Sequence, residues 1–320
     1  MTNIIQAEPL QVPDTAALRY LPEGPMALRD GLVSWVGIQH GTDSTHGSLN
    51  LLDLKTMTNQ SFVLPGRPGF AFPTTKENVF IIGCERSIGL FDLTDQSWNV
   101  LCEGVDSAVE NTIINDGWAI GNKLIFGTKD LEFATQKAGL YLFKGEEKQL
   151  LQLRSDQICS NGKAITVDSN GQQQLLDIDS PTRKLVSYPI NLESGELGTA
   201  KTVVDFAQDP AVPDGAVLTP DGKGIVVAMF RPEVADYGET RLYDLASGEL
   251  RMTWQTQGSP QNTCPAFVRI NGTLKLLITT AVEHMSDEAR AQCPNAGQLF
   301  LADASVEDTG AELTATYTLP

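Results

Sequence analysis

A short polar cluster followed by two apolar strands recurs six times along the chain, and this repeat constrains the fold more than any single motif. The unit that begins at Pro213-Asp214-Gly215 continues as AVLTPDGKGIVVAMF, which is a strand, a tight turn and a second strand. The other five units begin at Glu23-Gly24-Pro25, Arg67-Pro68-Gly69, Asn115-Asp116-Gly117, Ser160-Asn161-Gly162 and Thr263-Cys264-Pro265. A repeat of this length is typical of array architectures.

Each unit continues with a third strand, such as GSLNLLDL or ETRLYDL, and most units add a fourth, polar strand. The second strands, such as GIVVAMF, are nearly continuous apolar runs, as expected for strands buried on both faces. Four antiparallel strands per unit, without a long amphipathic helix, predict an all-β, six-bladed β-propeller. We expect a single domain over residues 1–320, in which the N-terminal segment and the final LTATYTLP pair to close one blade. Only SDEARAQ indicates a short helix.

The acidic composition limits the possible partners. Asp and Glu number 40 against 23 Lys and Arg, so the net charge is −17. Nucleic acid and anionic membranes are therefore not expected to bind, because both require a basic surface. Five scattered cysteines without a CxxC pair argue against a disulfide framework or structural zinc. The N-terminal residues lack the features of a signal peptide, and no apolar run is long enough to cross a bilayer. We expect a cytoplasmic protein, as a monomer or small homo-oligomer, with a small-molecule ligand.

The expected strand order places polar side chains at one mouth of the central channel. Glu23, Asn115, Asn161 and Asp214 all fall where an innermost strand begins. Their side-chain donors are oxygens, which suit a hard cation such as Ca²⁺, Mg²⁺ or Mn²⁺. The alternative is that Asp and Asn before Gly only form turns, although this explains Glu23 poorly. Loops expected at the same mouth contain His40 to His46, Glu85-Arg86, Lys129 to Glu132, Ser180-Pro181, Phe230-Arg231 and Glu283-His284-Met285.

From about residue 20 to 282 the chain resembles the SMP-30/gluconolactonase/luciferin-regenerating-enzyme family of six-bladed propellers, many of them metal-dependent lactonases. The motifs that carry the resemblance are LPEGP, IINDG, FGTKDLE, GLYLF, CSNGKAI, VPDGAVLTPDG and TCPAF. It implies one divalent cation, Ca²⁺ favoured and Mg²⁺, Mn²⁺ or Zn²⁺ possible, held by Glu23, Asn161 and Asp214. It also implies Asp214 as the general base, with Glu132 as the second candidate. Asn115 and Glu132 would contact the substrate.

Two positions depart from the family pattern. Ala27 stands where an aromatic residue is common, and Ile113 stands where an arginine often grips sugar hydroxyls. Arg86 or Arg231 could replace that arginine, and His284 is a further candidate for substrate binding. The predicted function is metal-dependent hydrolysis of a lactone. The alternatives are a phosphotriester or other ester hydrolase with the same cation, and a non-catalytic propeller that binds a small ligand and a structural cation. The segment from His40 to His46 is interpreted as a solvated loop or a substrate lid.

Overall fold

The computed structural model describes residues 3–320, which form 25 strands, one α-helix and two 3₁₀ helices. The first nine strands in chain order are β1 (Asn3–Pro9), β2 (Pro22–Arg29), β3 (Leu32–Gly37), β4 (Ser48–Asp53), β5 (Thr58–Val63), β6 (Pro68–Pro73), β7 (Val79–Cys84), β8 (Ser87–Asp92) and β9 (Trp98–Cys102). The next nine are β10 (Thr112–Ile120), β11 (Lys123–Asp130), β12 (Ala138–Lys144), β13 (Gln149–Gln157), β14 (Ser160–Val167), β15 (Gln173–Asp179), β16 (Lys184–Asn191), β17 (Glu196–Leu197) and β18 (Lys201–Asp205). The last seven are β19 (Val212–Leu218), β20 (Gly224–Phe230), β21 (Tyr237–Asp244), β22 (Leu250–Gln257), β23 (Asn262–Ile270), β24 (Thr273–Thr280) and β25 (Phe300–Asp303).

The helices are short. The 3₁₀ helices cover Ala16–Leu18 and Ser180–Thr182, and α1 covers Asp287–Gln292, so the predicted short helix is confirmed. The Ser286 side chain caps α1 by accepting a hydrogen bond from the Ala289 amide, which satisfies one free N–H of the first turn. Within residues 3–320, no helix has the length and apolar character needed to span a bilayer.

The strands form four sheets of four or five strands and one sheet of eight. Strands β2–β5, β6–β9 and β10–β13 are antiparallel and pair in chain order, and β14–β18 form a similar sheet in which β17 and β18 both pair with β16. The eight-stranded sheet has the order β19-β20-β21-β22-β1-β25-β24-β23. The all-β prediction is confirmed. Within residues 3–320, six separate four-stranded sheets are not observed, because β1 hydrogen bonds on both sides and joins two sets of strands.

The N-terminal strand makes this junction. Residues Asn3–Ala7 of β1 pair in parallel with β22, and Glu8 and Pro9 pair in antiparallel fashion with β25. The final residues lie elsewhere, since Tyr317 forms a parallel bridge with Thr74. The N-terminal segment therefore does not pair with LTATYTLP in the described residues. Strand β25 thus lies between β1 and β24.

The chain folds into two compact units, the first formed by residues 1–67 and 208–314 and the second by residues 68–207 and 315–320. In the first unit, Trp35, Leu52, Val268 and Leu277 belong to one buried cluster between β2–β5 and the β23–β25 strands. A second buried cluster, which includes Trp254 and Phe300, is formed by side chains from both halves of the eight-stranded sheet. In the second unit the sheets β10–β13 and β14–β18 pack through Ile125, Leu140, Leu175 and Tyr188. The middle strands are buried by these apolar contacts, and the polar clusters at the strand starts lie outside the three apolar clusters.

The strand that opens each repeat carries a register shift near its beginning. The shifts fall between Glu23 and Met26, Pro68 and Phe70, Ile114 and Gly117, Asn161 and Ala164, Pro213 and Ala216, and Asn262 and Cys264. A bulge of this kind places two residues opposite one, bends the strand and redirects a side chain. The polar clusters recognised in the sequence therefore coincide with β-bulges. At these bulges the side chains do not follow the regular alternation between the two faces of the sheet.

Candidate functional site

Asn115 and Asn161 form the centre of the candidate site in the second unit. The Asn115 side-chain amide donates hydrogen bonds to Asn161 Oδ1, at 2.7 Å, and to the Ser160 carbonyl oxygen, at 2.8 Å. Both residues are buried. Asn115 Oδ1 accepts no hydrogen bond within residues 3–320, and Asn161 Oδ1 accepts only that from Asn115. An amide oxygen has two lone pairs, so both oxygens can still contact a ligand.

The end of β15 fixes the position of Asn161. Its Nδ2 donates to Ser180 Oγ at 2.8 Å, and the Ser180 amide donates to the Cys159 carbonyl. Asp179 Oδ1 accepts from the amides of Ile158 and Cys159 at 3.1 and 2.8 Å. Burial raises the pKa of Asp179, and the Cys159 amide partly opposes this rise. Because Ser180 engages the Asn161 nitrogen, the Asn161 oxygen faces the Asn115 amide.

A buried ion pair lies under the same strand. The Lys163 ammonium is 2.9 Å from Asp177 Oδ1, and neither side chain is more than 2% exposed. The ammonium also donates to Ser160 Oγ at 2.6 Å and to the Asn161 carbonyl oxygen at 2.8 Å. Gln157 donates to the other Asp177 oxygen at 2.6 Å. This network ties the bulge that contains Asn161 to the middle of the sheet.

Gly69 allows the neighbouring strand β6 to approach Asn115. A Cβ atom at position 69 would lie 2.2 Å from the Asn115 carbonyl oxygen and 2.5 Å from the Ile114 carbonyl oxygen. Both atoms belong to the backbone, so a side-chain rotation cannot relieve the collision. Glycine is required here because the backbones of β6 and β10 approach each other closely. In the second polar cluster of the sequence, Gly69 thus supports Asn115 through close backbone packing.

Asp116 lies in the same bulge as Asn115, and its carboxyl group has a raised pKa. Burial raises its pKa to about 6, while Lys163 and the Gly117 amide act in the opposite direction. The Gly117 amide donates to Asp116 Oδ1 at 2.9 Å. A carboxyl group with this pKa changes charge near neutral pH and can exchange a proton there. The sequence identified the Asn-Asp-Gly cluster but assigned no role to Asp116, because its pKa depends on burial.

Glu132 is held in an ordered loop by Asp130. The buried Asp130 carboxylate accepts from the amides of Glu132, Ala134 and Thr135 and forms an ion pair with Lys137 at 3.0 Å. Burial alone would raise the pKa of Asp130, but these donors outweigh it and lower the pKa. The Glu132 side chain is 59% exposed and lies 3.6 Å from Lys137. Its other partner is Asn111, four residues before Asn115, and no hydrogen bond joins Glu132 to the amide pair in residues 3–320.

Lys129 immediately precedes this loop and lies close to the amide pair. In the sheet it is opposite Ile113 of β10, and it also forms an isolated bridge with Cys159. Ile113 is two residues before Asn115, and Cys159 is two residues before Asn161. The Lys129 side chain is directed over Phe133, with 5.9 Å between the ammonium nitrogen and the ring centroid. The sequence placed Lys129 in a mouth loop without assigning a role to it.

Glu23 and Asp214 belong to the first unit, in β2 and β19. Both are buried, and both strands contact β23. Thr263 Oγ1 of β23 donates to the Pro22 carbonyl oxygen at 2.7 Å. On the other side, a Cβ atom at Gly215 would lie 2.6 Å from Cys264 Sγ. Pro22, next to Glu23, and Gly215, next to Asp214, therefore both pack against the start of β23.

The three other predicted substrate contacts lie on loops. Arg86 uses three donors within the second unit, to the Thr112 carbonyl oxygen, the Thr112 hydroxyl and the Asp106 carbonyl oxygen, at 3.0 to 3.2 Å. It therefore supports the start of β10. Arg231 lies 3.9 Å from Glu233 and is partly exposed. His284 is exposed, 3.8 Å from Glu283. The substrate contacts of these three residues stay predictions.

The loop from His40 to His46 is ordered by contacts within the first unit. His40 Nε2 is 2.9 Å from Ser48 Oγ, and Tyr20 donates to Thr42 Oγ1 at 3.3 Å. Burial lowers the pKa of His40. His46 is exposed, and its Nδ1 is 2.9 Å from Thr45 Oγ1. These contacts describe a surface loop tied down at its first histidine.

The residues proposed for a cation offer carboxylate and amide oxygens. This donor set fits a hard divalent cation, and the open lone pair on Asn161 supplies one position for it. Among residues 3–320, no group of three His, Cys, Asp or Glu side chains comes together as a metal site. All five cysteines are free thiols. Thiolate or imidazole clusters therefore offer no competing site in the part of the chain that the structure describes.

Comparisons with known proteins relate most of the chain to one family. Residues 21–282 match the family described as the SMP-30/Gluconolactonase/LRE-like region. A Bacillus subtilis (strain 168) protein, provisionally named sugar lactone lactonase YvrE, is 26% identical over 294 residues, covering 90% of this chain and 92% of that protein. A calcium-binding regucalcin from Agrobacterium tumefaciens has a TM-score of 0.80, 21% identity and 99% coverage of both chains. A luciferin-regenerating enzyme has a TM-score of 0.79 and 19% identity, covering 98% of this chain and 99% of its own. The structural similarity shows that the fold is an all-β propeller.

Proposed function

The chain belongs to the SMP-30/gluconolactonase/LRE-like family, and on this premise we propose that it hydrolyses a lactone with the help of a divalent cation. The observation that carries the proposal is the Asn115–Asn161 pair, in which both amide oxygens remain able to contact a ligand. The B. subtilis relative's name supports a lactone as the substrate. The regucalcin is named as a calcium-binding protein, which supports Ca²⁺.

The proposed cation ligands are Glu23, Asn161 and Asp214. This grouping rests on the family pattern, and the local geometry within each unit supports it through buried oxygen donors at strand bulges. A bound divalent cation would polarise the lactone carbonyl and stabilise the negative charge that develops on its oxygen.

The remaining steps belong to the chain's own residues. Asn115 would accept a hydrogen bond from the substrate or from the attacking water through its open Oδ1. Asp214 would take the proton of that water, with Glu132 as the second candidate. The exposed position of Glu132 on a fixed loop suits contact with a substrate that enters from solvent.

We further propose that the eight-stranded sheet represents two blades, β19–β22 and β23–β25 with β1, which gives six blades in one domain. The parallel pairing of β1 with β22 would then be the contact between two neighbouring blades. A cytoplasmic location, a small-molecule ligand, and a monomer or small homo-oligomer stay predictions.

Proton release from a panel of sugar and aliphatic lactones would test the proposed activity. The protein is first treated with a chelator and then assayed after addition of Ca²⁺, Mg²⁺, Mn²⁺ or Zn²⁺. We expect hydrolysis to return with a cation and Asp214→Asn to lower kcat by about 100-fold or more, as for loss of a general base. Asp236→Asn is the matched control, because Asp236 is exposed in the same unit.

Three outcomes separate the hypotheses. Full activity of Asp214→Asn would refute the assigned site. Hydrolysis of phosphotriesters or simple esters but not lactones would favour the ester hydrolase. Ligand-dependent stabilisation without turnover of any substrate would favour the binding protein.

A further inference from the structure

Lys129 is a buried lysine without a carboxylate partner in the part of the chain that the structure describes. Its side chain and backbone together are only 4% exposed. No carboxylate lies within 4.0 Å of its ammonium, and the ammonium forms no hydrogen bond within residues 3–320. Lys163, which is buried in the same unit, has an ion pair and two oxygen acceptors. Within residues 3–320, Lys129 therefore lacks the carboxylate partner that a buried cation normally has.

A shortage of carboxylates does not explain the missing partner. The chain carries 40 acidic residues against 23 basic ones, and two carboxylates, Asp130 and Glu132, follow Lys129 within three residues. Both instead pair with Lys137. The fold has thus directed these two carboxylates towards Lys137, and Lys129 has no carboxylate partner within the described chain.

The surroundings of Lys129 are suited to a ligand. On one side the Lys129 ammonium faces the Phe133 ring, with 5.9 Å between the nitrogen and the ring centroid. Phe133 is 43% exposed and has a φ of 51°, a left-handed conformation that is costly for an aromatic residue. The three amide contacts of Asp130 hold the loop in this conformation. An exposed ring beside an unpaired ammonium offers an apolar wall and a positive charge to the same molecule.

The position of Lys129 connects it to the proposed reaction site. Its two backbone neighbours, Ile113 and Cys159, are each two residues from a member of the Asn115–Asn161 pair. Two residues along a strand span about 7 Å, which is within the size of a sugar lactone. A ligand held at the amide pair can therefore extend to the Lys129 ammonium.

We infer that Lys129 binds an anionic group of the substrate, so that the substrate class is a lactone carrying a phosphate or a carboxylate. This inference rests on the proposed lactone hydrolysis and specifies its substrate. The lactone ring would lie at the Asn115–Asn161 pair. The anionic group would form a charge-assisted hydrogen bond with the Lys129 ammonium and supply the missing counter-ion.

The test measures binding separately from turnover. Calorimetry with 1,5-anhydroglucitol, its 6-phosphate and the corresponding 6-carboxylate uses ring analogues that have no lactone bond to hydrolyse. Wild-type protein is expected to bind one of the anionic analogues more tightly than the neutral one. Lys129→Gln should weaken that binding by about 10- to 100-fold and change binding of the neutral analogue by less than about twofold. Lys129→Arg should retain most of the preference, and Lys184→Gln, at an exposed lysine of the same unit, is the control.

The same variants are assayed with a neutral aldonolactone and its 6-phosphate or 6-carboxylate form. Selective loss of kcat/KM for the anionic lactone in Lys129→Gln would support the inference. Equal effects on neutral and anionic ligands, or no anionic preference in the wild type, would overturn it and leave the lactonase proposal intact. Anion binding through Lys129 without hydrolysis of any lactone would instead overturn the proposed function. Phosphate and carboxylate are distinguished by which analogue binds more tightly.

Discussion

The Lys163–Asp177 ion pair gives a prediction whose size follows from its burial. Lys163→Met removes one partner and leaves the Asp177 carboxylate in an interior where it is at most 2% exposed. Breaking a buried pair in this way typically costs about 3–5 kcal/mol, since the remaining charge has lost its compensation. The variant also removes the donor to Ser160 Oγ and to the Asn161 carbonyl oxygen.

We therefore expect the free energy of unfolding of Lys163→Met to fall by about 3–5 kcal/mol. At about 2 °C per kcal/mol for a chain of this size, Tm should fall by roughly 6–10 °C. Urea unfolding, followed by circular dichroism, and calorimetry measure the two quantities. Lys184→Met, at an exposed lysine of β16, should change the free energy of unfolding by less than about 0.5 kcal/mol.

The double variant Lys163→Met/Asp177→Leu separates the charge effect from lost packing. Replacing both partners with apolar groups removes the unpaired carboxylate, so most of the lost stability should return. A double-mutant cycle then measures the coupling between the two side chains. The reasoning is refuted if Lys163→Met is as stable as the wild type, or if the double variant is less stable than Lys163→Met.

Two further predictions concern Asn115 and its neighbour. Gly69→Ala places a Cβ atom 2.2 Å from the Asn115 carbonyl oxygen, so we expect it to destabilise the protein by at least about 2 kcal/mol in urea unfolding and to weaken ligand binding. Gly41→Ala meets no atom within 4 Å and should be neutral; equal behaviour of the two variants would contradict the assigned contact. Asp116 has a pKa of about 6, above its ordinary value of 3.8, so the native state holds its proton more tightly than the unfolded chain. Its contribution to stability should decline as pH rises from about 4 to 6, by at most about 3 kcal/mol, and Asp116→Asn should remove this decline. Parallel pH curves for wild type and variant would show that Asp116 does not titrate in this range.

Much of the fold follows from local sequence patterns. The apolar second strands, the turn residues and the polar cluster before each repeat identify an all-β chain, because strand periodicity and turn chemistry act over a few residues. The same clusters locate Asn115 and Asn161 at strand starts, where the structure brings their amides to 2.7 Å. The pairing of β1 with two strands was not visible in the sequence, since β1 is separated from β22 and β25 by more than two hundred residues.

The sequence by itself therefore determined the strand content, the recurring polar positions and the family resemblance. The tertiary structure decided which polar groups are neighbours and how deeply they are buried. Lys163 and Asp177 show no relation along the chain and become an ion pair only through the pairing of β14 with β15. Likewise, the loop directs Asp130 and Glu132 towards Lys137, and Lys129 has no carboxylate partner among the described residues. Charge compensation depends on distance and desolvation in three dimensions, and neither is fixed by the order of residues along the strand.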